Sequence, residues 1–143
     1  MPKRQIPLNR PDLGLQERLA VDAVLRSGAL AQGKKVAQFE SVFSSTVSER
    51  NSIAVNSGTS ALHLGLLAIG IGPGDEVIVP SFTFAASANA VAITGATPVF
   101  VDIEPDYFSI DPSAVKAAIG PRTKAVIACL LYTSPSPRDR QKS

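Results

Sequence analysis

The stretch from Asn56 to Ser60, Asn-Ser-Gly-Thr-Ser, sets the hydroxyls of Ser57, Thr59 and Ser60 around a glycine just before an Ala/Leu-rich helical pattern. Small polar residues in that position suit an anion. A helix start leaves backbone N–H groups without acceptors and carries about half a positive elementary charge, so a phosphate can be held there if the backbone is approachable, as it is at Gly58. A plainer reading is that Ser57 or Thr59 caps the helix. Further along, Phe82 and Phe84 lie in the run Pro80–Ser87 that follows an apolar stretch. They are placed either to stack on a ring or to fill the core. Asp102, Glu104 and Asp106 follow a third apolar stretch and suit either ligand binding or a strand-ending turn.

Other candidates resolve differently. The glycine-rich run Gly70-Ile71-Gly72-Pro73-Gly74 follows a helix and precedes a strand, the reverse of the order a dinucleotide fingerprint needs, so it reads as a turn. Gly58 alone stands between the first strand and its helix, which argues against a dinucleotide-dependent oxidoreductase. His63 has no second histidine and no metal-ligand spacing around it and reads as a packed or hydrogen-bonded side chain. No nucleophile triad, zinc spacing or Walker loop is present.

These residues need elements to hold them. Leu15, Leu19 and Val24 recur at helical spacing and predict a helix over about 13–26, stopped by Ser27-Gly28. A glycine-bounded loop, Gly28 to Gly33, leads to a second helix. There Val36, Phe39, Val42, Phe43 and Val47 form one apolar stripe, expected to face a core. From Ser52 onward short apolar strands alternate with helices: strand 53–55, helix 59–69, strand 77–79, helix 84–94, strand 98–101, helix 112–119 and strand 125–128. Such alternation predicts an α/β fold with a mainly parallel sheet. The strands read as continuous apolar runs, which predicts helices on both faces and hence a three-layer α/β/α arrangement. Gly95 ends one helix, and Asp111-Pro112 begins the last with a cap and a proline at its first position.

The 143 residues have room for one domain, and 45% hydrophobic content is enough for a core. The formal charge of +2 arises in the C-terminal stretch, where Arg138, Arg140 and Lys142 are set against Asp139; everything before Thr133 is neutral. Nothing in the body therefore argues for a nucleic-acid partner. Cys129 is the single cysteine and cannot form an internal disulfide, so a cytoplasmic location is expected. The start, Met1-Pro2-Lys3-Arg4-Gln5-Ile6-Pro7, lacks the apolar run of a signal peptide. The apolar stretch Ala61–Ile71 is far short of the ~20 residues that span a bilayer, so no membrane insertion is expected.

Taken together and in order, five stretches resemble the DegT/StrS-type sugar aminotransferases, pyridoxal-phosphate enzymes of the aspartate aminotransferase fold (fold type I). They are Ile6-Pro7-Leu8, Leu25-Arg26-Ser27-Gly28, Ser57–Leu64, Gly70–Pro80 and Gly95–Asp102. The likeness runs over about 6–128 and favours the phosphate reading of the Asn56–Ser60 turn. It implies that Gly58, Thr59 and Ser60 hold the phosphate of pyridoxal 5′-phosphate through amides and hydroxyls, and that Phe84 lies against the pyridine ring. Asn9, Arg10 and the loop containing Ala31 match segments that in the family border the sugar-nucleotide site, often across a homodimer interface. Ala29 and Ala31 stand where many relatives carry tryptophan and threonine. The implied reaction moves an amino group, usually from glutamate, to a keto group of a nucleotide-linked sugar, with a lysine carrying the cofactor and shuttling the proton.

That lysine is not in this sequence: Lys116 and Lys124 have the wrong context. The likeness also breaks after Ala128, where a Ser/Pro/Arg-rich stretch, 129–143, reads as disordered and foreign to the family. The expectation is an N-terminal extended segment, helix and loop (1–34), a partial cofactor-binding large domain (35–128) and a tail. As a partial domain it is expected to lack turnover and to associate through uncovered strand edges and apolar faces. Two alternatives stand beside this reading. One is a sugar dehydratase of the same fold that uses the cofactor without the lysine. The other is a non-enzymatic phosphate- or nucleotide-binding module.

Overall fold

The structure is a computed structural model and describes residues 11–47 and 50–129; of the stretch 129–143, read above as a disordered tail, all but Cys129 lies outside the described residues. The chain divides into two compact units, 1–54 and 55–143.

The first unit holds α1 (Leu15–Ser27) and α2 (Lys34–Thr46). α1 begins where Glu17 reaches back to accept the Gly14 N–H at 2.8 Å. It stops at Gly28, whose φ of 69° is open to glycine at little cost and whose N–H donates to the Leu25 carbonyl. The apolar stripe of α2 does not face a core. Phe39 and Phe43 pair with centroids 6.0 Å apart, yet both are exposed, as are Val42 and Val47. Neither helix has a buried residue. Among its described residues this unit has no sheet and no third helix for the stripe to pack on.

A second expectation fails at 53–55. These residues form no strand, and Ile53 is 80% exposed. An extended segment becomes a strand when a neighbour takes its N–H and C=O groups. The described residues offer one such bond, from the Ala54 N–H to Glu40 Oε1 at 2.8 Å, and it comes from a side chain.

The second unit is the α/β part. Its elements are α3 (Gly58–Ala68), β1 (Glu76–Pro80), α4 (Ala86–Ile93), β2 (Thr97–Val101), α5 (Pro112–Ala118) and β3 (Thr123–Val126). The strands are parallel in the order β2-β1-β3. A right-handed crossover from β1 to β2, and another from β2 back past β1 to β3, put α4 and α5 on opposite faces of the sheet. The packing agrees. Val77 and Val79 join a cluster with Leu66 of α3 and Ala90 and Val91 of α4, whereas Ile78, out of phase with them, is fully buried outside that cluster. Coverage of both faces is complete at β1 and partial at the flanking strands, where Phe100 and Val126 remain exposed.

The register of β3 against β1 is fixed at one end by Arg122. Its guanidinium meets Glu76 Oε1 at 2.6 and 2.9 Å, and its carbonyl accepts the Glu76 N–H. Directly afterwards the pairing skips Lys124, from Glu76 opposite Thr123 to Val77 opposite Ala125, which is a bulge at the amino end of β3.

The glycine-rich run between α3 and β1 is the turn expected. Gly70 and Gly74 have φ of 81° and 93°, and Asp75 locks the turn by accepting from the Gly72 N–H. Gly95 closes against it: its φ is 85°, and a Cβ there would come within 2.9 Å of the Pro73 ring. Gly95→Ala is therefore expected to cost about 1–3 kcal/mol in urea-monitored unfolding. A cost below roughly 0.5 kcal/mol would mean that the proline ring gives way freely.

Candidate functional site

The carboxyl edge of the sheet is where an open α/β fold presents loops to a ligand. β1 and β2 lie side by side and their following helices leave to opposite faces, so the loop after β1 and the segment after β2 border one crevice. α3 points to the same edge. Its C-terminus is tied to the amino end of β1 by the glycine turn, and it packs along α4, which runs antiparallel to the strands it connects.

The first turn of α3 carries Gly58, Thr59 and Ser60 together. Ser57 is the N-cap, its Oγ accepting the Ser60 N–H at 3.1 Å. The Ser60 hydroxyl donates to Asn56 Oδ1 at 2.7 Å, so in the 2.9 Å contact between Ser57 Oγ and Ser60 Oγ the proton comes from Ser57. The turn is thus a closed chain from Ser57 to Ser60 to Asn56. The capping reading and the anion reading coexist, because the cap uses the Ser60 N–H alone. The Gly58 and Thr59 N–H groups have no intrahelical acceptor, as at any helix start, and the Thr59 hydroxyl has no partner among the described residues. The turn is open to solvent around Gly58, where an added Cβ would meet no atom within 4 Å.

Phe84 sits at the same edge, in the loop between β1 and α4. It is 77% exposed, and Phe82 is 56% exposed, so neither fills the core as the residue types alone suggested. The backbone of Phe84 is fixed by its carbonyl, which accepts the Ser87 N–H at 3.0 Å. Ala31 lies on the exposed bend between α1 and α2, in the first unit. Asn9 and Arg10 lie outside the described residues.

The acids after β2 belong to a small hairpin. Asp102 Oδ1 takes the N–H of Ile103, Ile103 bridges Ile110 in antiparallel fashion, and the Asp111 N–H returns to the Asp102 carbonyl. Asp111 then caps α5 through the Ser113 N–H. Sequence reasoning missed Phe108 at the tip of this hairpin. Its φ is 56°, and nothing in the sequence marks that position, where glycine or asparagine would have been the usual signal.

Two lysines of this unit bear on the chemistry. Lys124 is the bulge residue at the amino end of β3, and Lys116 lies in the last turn of α5, a helix that runs back toward that same end. Both therefore lie toward the end of the sheet opposite the edge that carries Gly58 and Phe84. His63 is half-buried in mid-helix, and among the described residues no group of three His, Cys, Asp or Glu side chains could hold a metal. No helix among them is long and apolar enough to cross a membrane.

The model of the DegT/DnrJ/EryC1/StrS aminotransferase family matches residues 11–140. The chain belongs to this family. A curated member, the spore coat polysaccharide biosynthesis protein SpsC of Bacillus subtilis, is 49% identical over 122 residues, covering 85% of this chain and 31% of the relative. Among solved members, a putative sugar aminotransferase from Streptococcus pneumoniae in its PMP form superposes with a TM-score of 0.82 at 39% identity, over 87% of this chain and 32% of that one. NtdA from Bacillus subtilis, with bound cofactor PMP, gives 0.77 at 42% identity, over 87% and 29%. The family chain described here thus spans about a third of the length of these relatives. Its α/β unit is part of a fold type I large domain, with the parallel sheet and flanking helices of those structures.

Proposed function

We propose that the α3 turn holds the phosphate of pyridoxal 5′-phosphate and that Phe84 lies against its ring. The single observation that carries this reading is the first turn of α3: two uncommitted N–H groups and a free threonine hydroxyl bordering open space at Gly58. Gly58 and Thr59 donate their N–H groups to the anion, and Thr59 adds its hydroxyl. Ser60 completes the set by turning its proton from Asn56 to the phosphate, exchanging a neutral acceptor for a charged one, which strengthens the bond. Asn56 and the Ser57 cap keep the turn in place while this happens. Phe84, on a backbone pinned to the start of α4, presents an exposed ring at the same edge. Support for the cofactor comes from the PMP-bound relatives.

When bound, the cofactor supplies an electron sink for the carbon that gains or loses the amino group. The residues described here bind and orient it. Neither Lys116 nor Lys124 is placed to move a proton there, so the 143-residue chain is expected to bind without turnover. We propose that the reaction in the longer relatives' context is transfer of an amino group, from glutamate, to a nucleotide-linked keto sugar in a cytoplasmic homodimer. The N-terminal segment with Asn9 and Arg10, and the loop with Ala31, border the sugar.

The test is equilibrium binding of pyridoxamine 5′-phosphate and of pyridoxamine, neither of which reacts with surface lysines. The phosphate ester is expected to bind at least about tenfold more tightly, since each charge-assisted hydrogen bond contributes roughly 1.5–3 kcal/mol. Equal affinity of the two would refute the phosphate reading.

A further inference from the structure

We infer that Phe108 is a positioning residue for the cofactor ring, acting through Phe82 to hold the loop that presents Phe84; this rests on the reading of Phe84 given above. The loop between β1 and α4 is fixed on two sides by hydrogen bonds. The Ser81 N–H donates to the Val101 carbonyl at 2.8 Å. The Thr83 hydroxyl meets the Ser87 hydroxyl at 2.9 Å, and Ser87 is buried. Between them Phe82 turns the other way and packs on Phe108, with ring centroids 5.9 Å apart and planes inclined at 51°. Phe108 lies at the tip of the hairpin after β2. Side chains of the loop thus point in turn to the hairpin, to α4 and, at Phe84, to solvent.

The backbone of Phe108 adds an independent observation. It is the only non-glycine residue with positive φ among the described residues, and for a bulky side chain that conformation is a real outlier. It is imposed by a tight turn in which the Phe108 N–H donates to the Glu104 carbonyl at 2.9 Å and the Glu104 N–H to the Ser109 carbonyl at 2.8 Å. Glycine would occupy this place without strain. A strained aromatic whose ring meets the neighbouring loop is explained if that ring contact is used. Its use is to stop the loop from rotating Phe84 away from a flat ligand.

The experiment compares the 143-residue chain with Phe108→Gly, Phe108→Tyr, Phe84→Ala and the double variant Phe84→Ala/Phe108→Gly. Pyridoxamine 5′-phosphate is the probe, followed by its own fluorescence, and inorganic phosphate is the competitor. Phe108→Gly relieves the backbone while removing the ring, so it is expected to fold. Its affinity for pyridoxamine 5′-phosphate falls about three- to tenfold, while that for inorganic phosphate stays within roughly twofold. Phe108→Tyr restores binding, and the double variant binds no more weakly than Phe84→Ala. Equal weakening of both ligands in a variant that stays folded would overturn the inference. So would normal binding by Phe108→Gly beside weak binding by Phe84→Ala, or losses that multiply in the double variant. Normal binding by Phe84→Ala would instead show that Phe84 does not face the ring, and both the reading and the inference would fall. Should Phe108→Gly not fold, Phe108→Leu, which keeps bulk and loses the ring, decides by the same comparison.

Discussion

Gly58→Val is expected to abolish phosphate-dependent binding of pyridoxamine 5′-phosphate, lowering affinity by about a hundredfold, with the fold unchanged. The magnitude follows from losing two charge-assisted bonds, together roughly 3 kcal/mol or more. The fold survives because Gly58 does not need glycine for its own conformation. Its φ is not in the left-handed region, and a Cβ would meet no protein atom within 4 Å. Valine is also no worse than glycine as a helical residue. The same open space is what makes the substitution costly to binding, since branched methyls would stand where the anion approaches the Gly58 and Thr59 N–H groups. Equilibrium dialysis of wild type and variant, with circular dichroism on the same samples, checks both halves. Unchanged affinity in a folded variant would mean that the phosphate sits elsewhere.

Ile78→Ala is expected to cost about 2–5 kcal/mol in denaturant unfolding, a large fraction of the roughly 5–15 kcal/mol that holds a typical domain together. Ile78 lies in the middle of the central strand, is fully buried, and fills the face of the sheet opposite the cluster of Leu66, Val77, Val79 and Val91. The other side chains of β1 on that face are Glu76, whose carboxylate is held by Arg122, and Pro80, which is too stiff to move into the cavity. Phe39→Ala, removing a larger side chain from an exposed position, is expected to cost less than about 1 kcal/mol. A smaller loss at Ile78 than at Phe39 would show that the core is not where the structure puts it.

The contrast between Ile78 and Phe39 also shows how far the sequence could be read. Apolar runs located β1, β2 and β3, and the lack of alternation matches the coverage of β1, which is buried on both faces. Gly28, Gly70, Gly95 and Asp111-Pro112 located helix ends because each supplies a conformation or a cap that the chain needs there. The stripe of α2 has the same kind of periodicity, but a pattern states only that a face is apolar, not that something covers it. Residues 53–55 failed for a related reason: apolar character makes a strand possible, whereas the partner that completes it lies at another place in the fold. At the site, Ser57-Gly58-Thr59-Ser60 was legible as a capped helix start. The commitment of the Ser60 hydroxyl to Asn56 was not, since it depends on rotamers within one turn. Phe108 was invisible because its left-handed backbone is set by the Glu104–Ser109 hydrogen bonds and not by its own preference.

The central claim is tested most directly by titrating isotopically labelled protein with pyridoxamine 5′-phosphate and following the backbone amide resonances. The Gly58 and Thr59 amides are expected to show the largest downfield shifts, saturating together with those of Phe84 and its neighbours, and Gly70, Gly72 and Gly74 are expected to stay in place. Saturable shifts centred on the glycine turn before β1, with the Gly58 and Thr59 amides unmoved, would contradict the account.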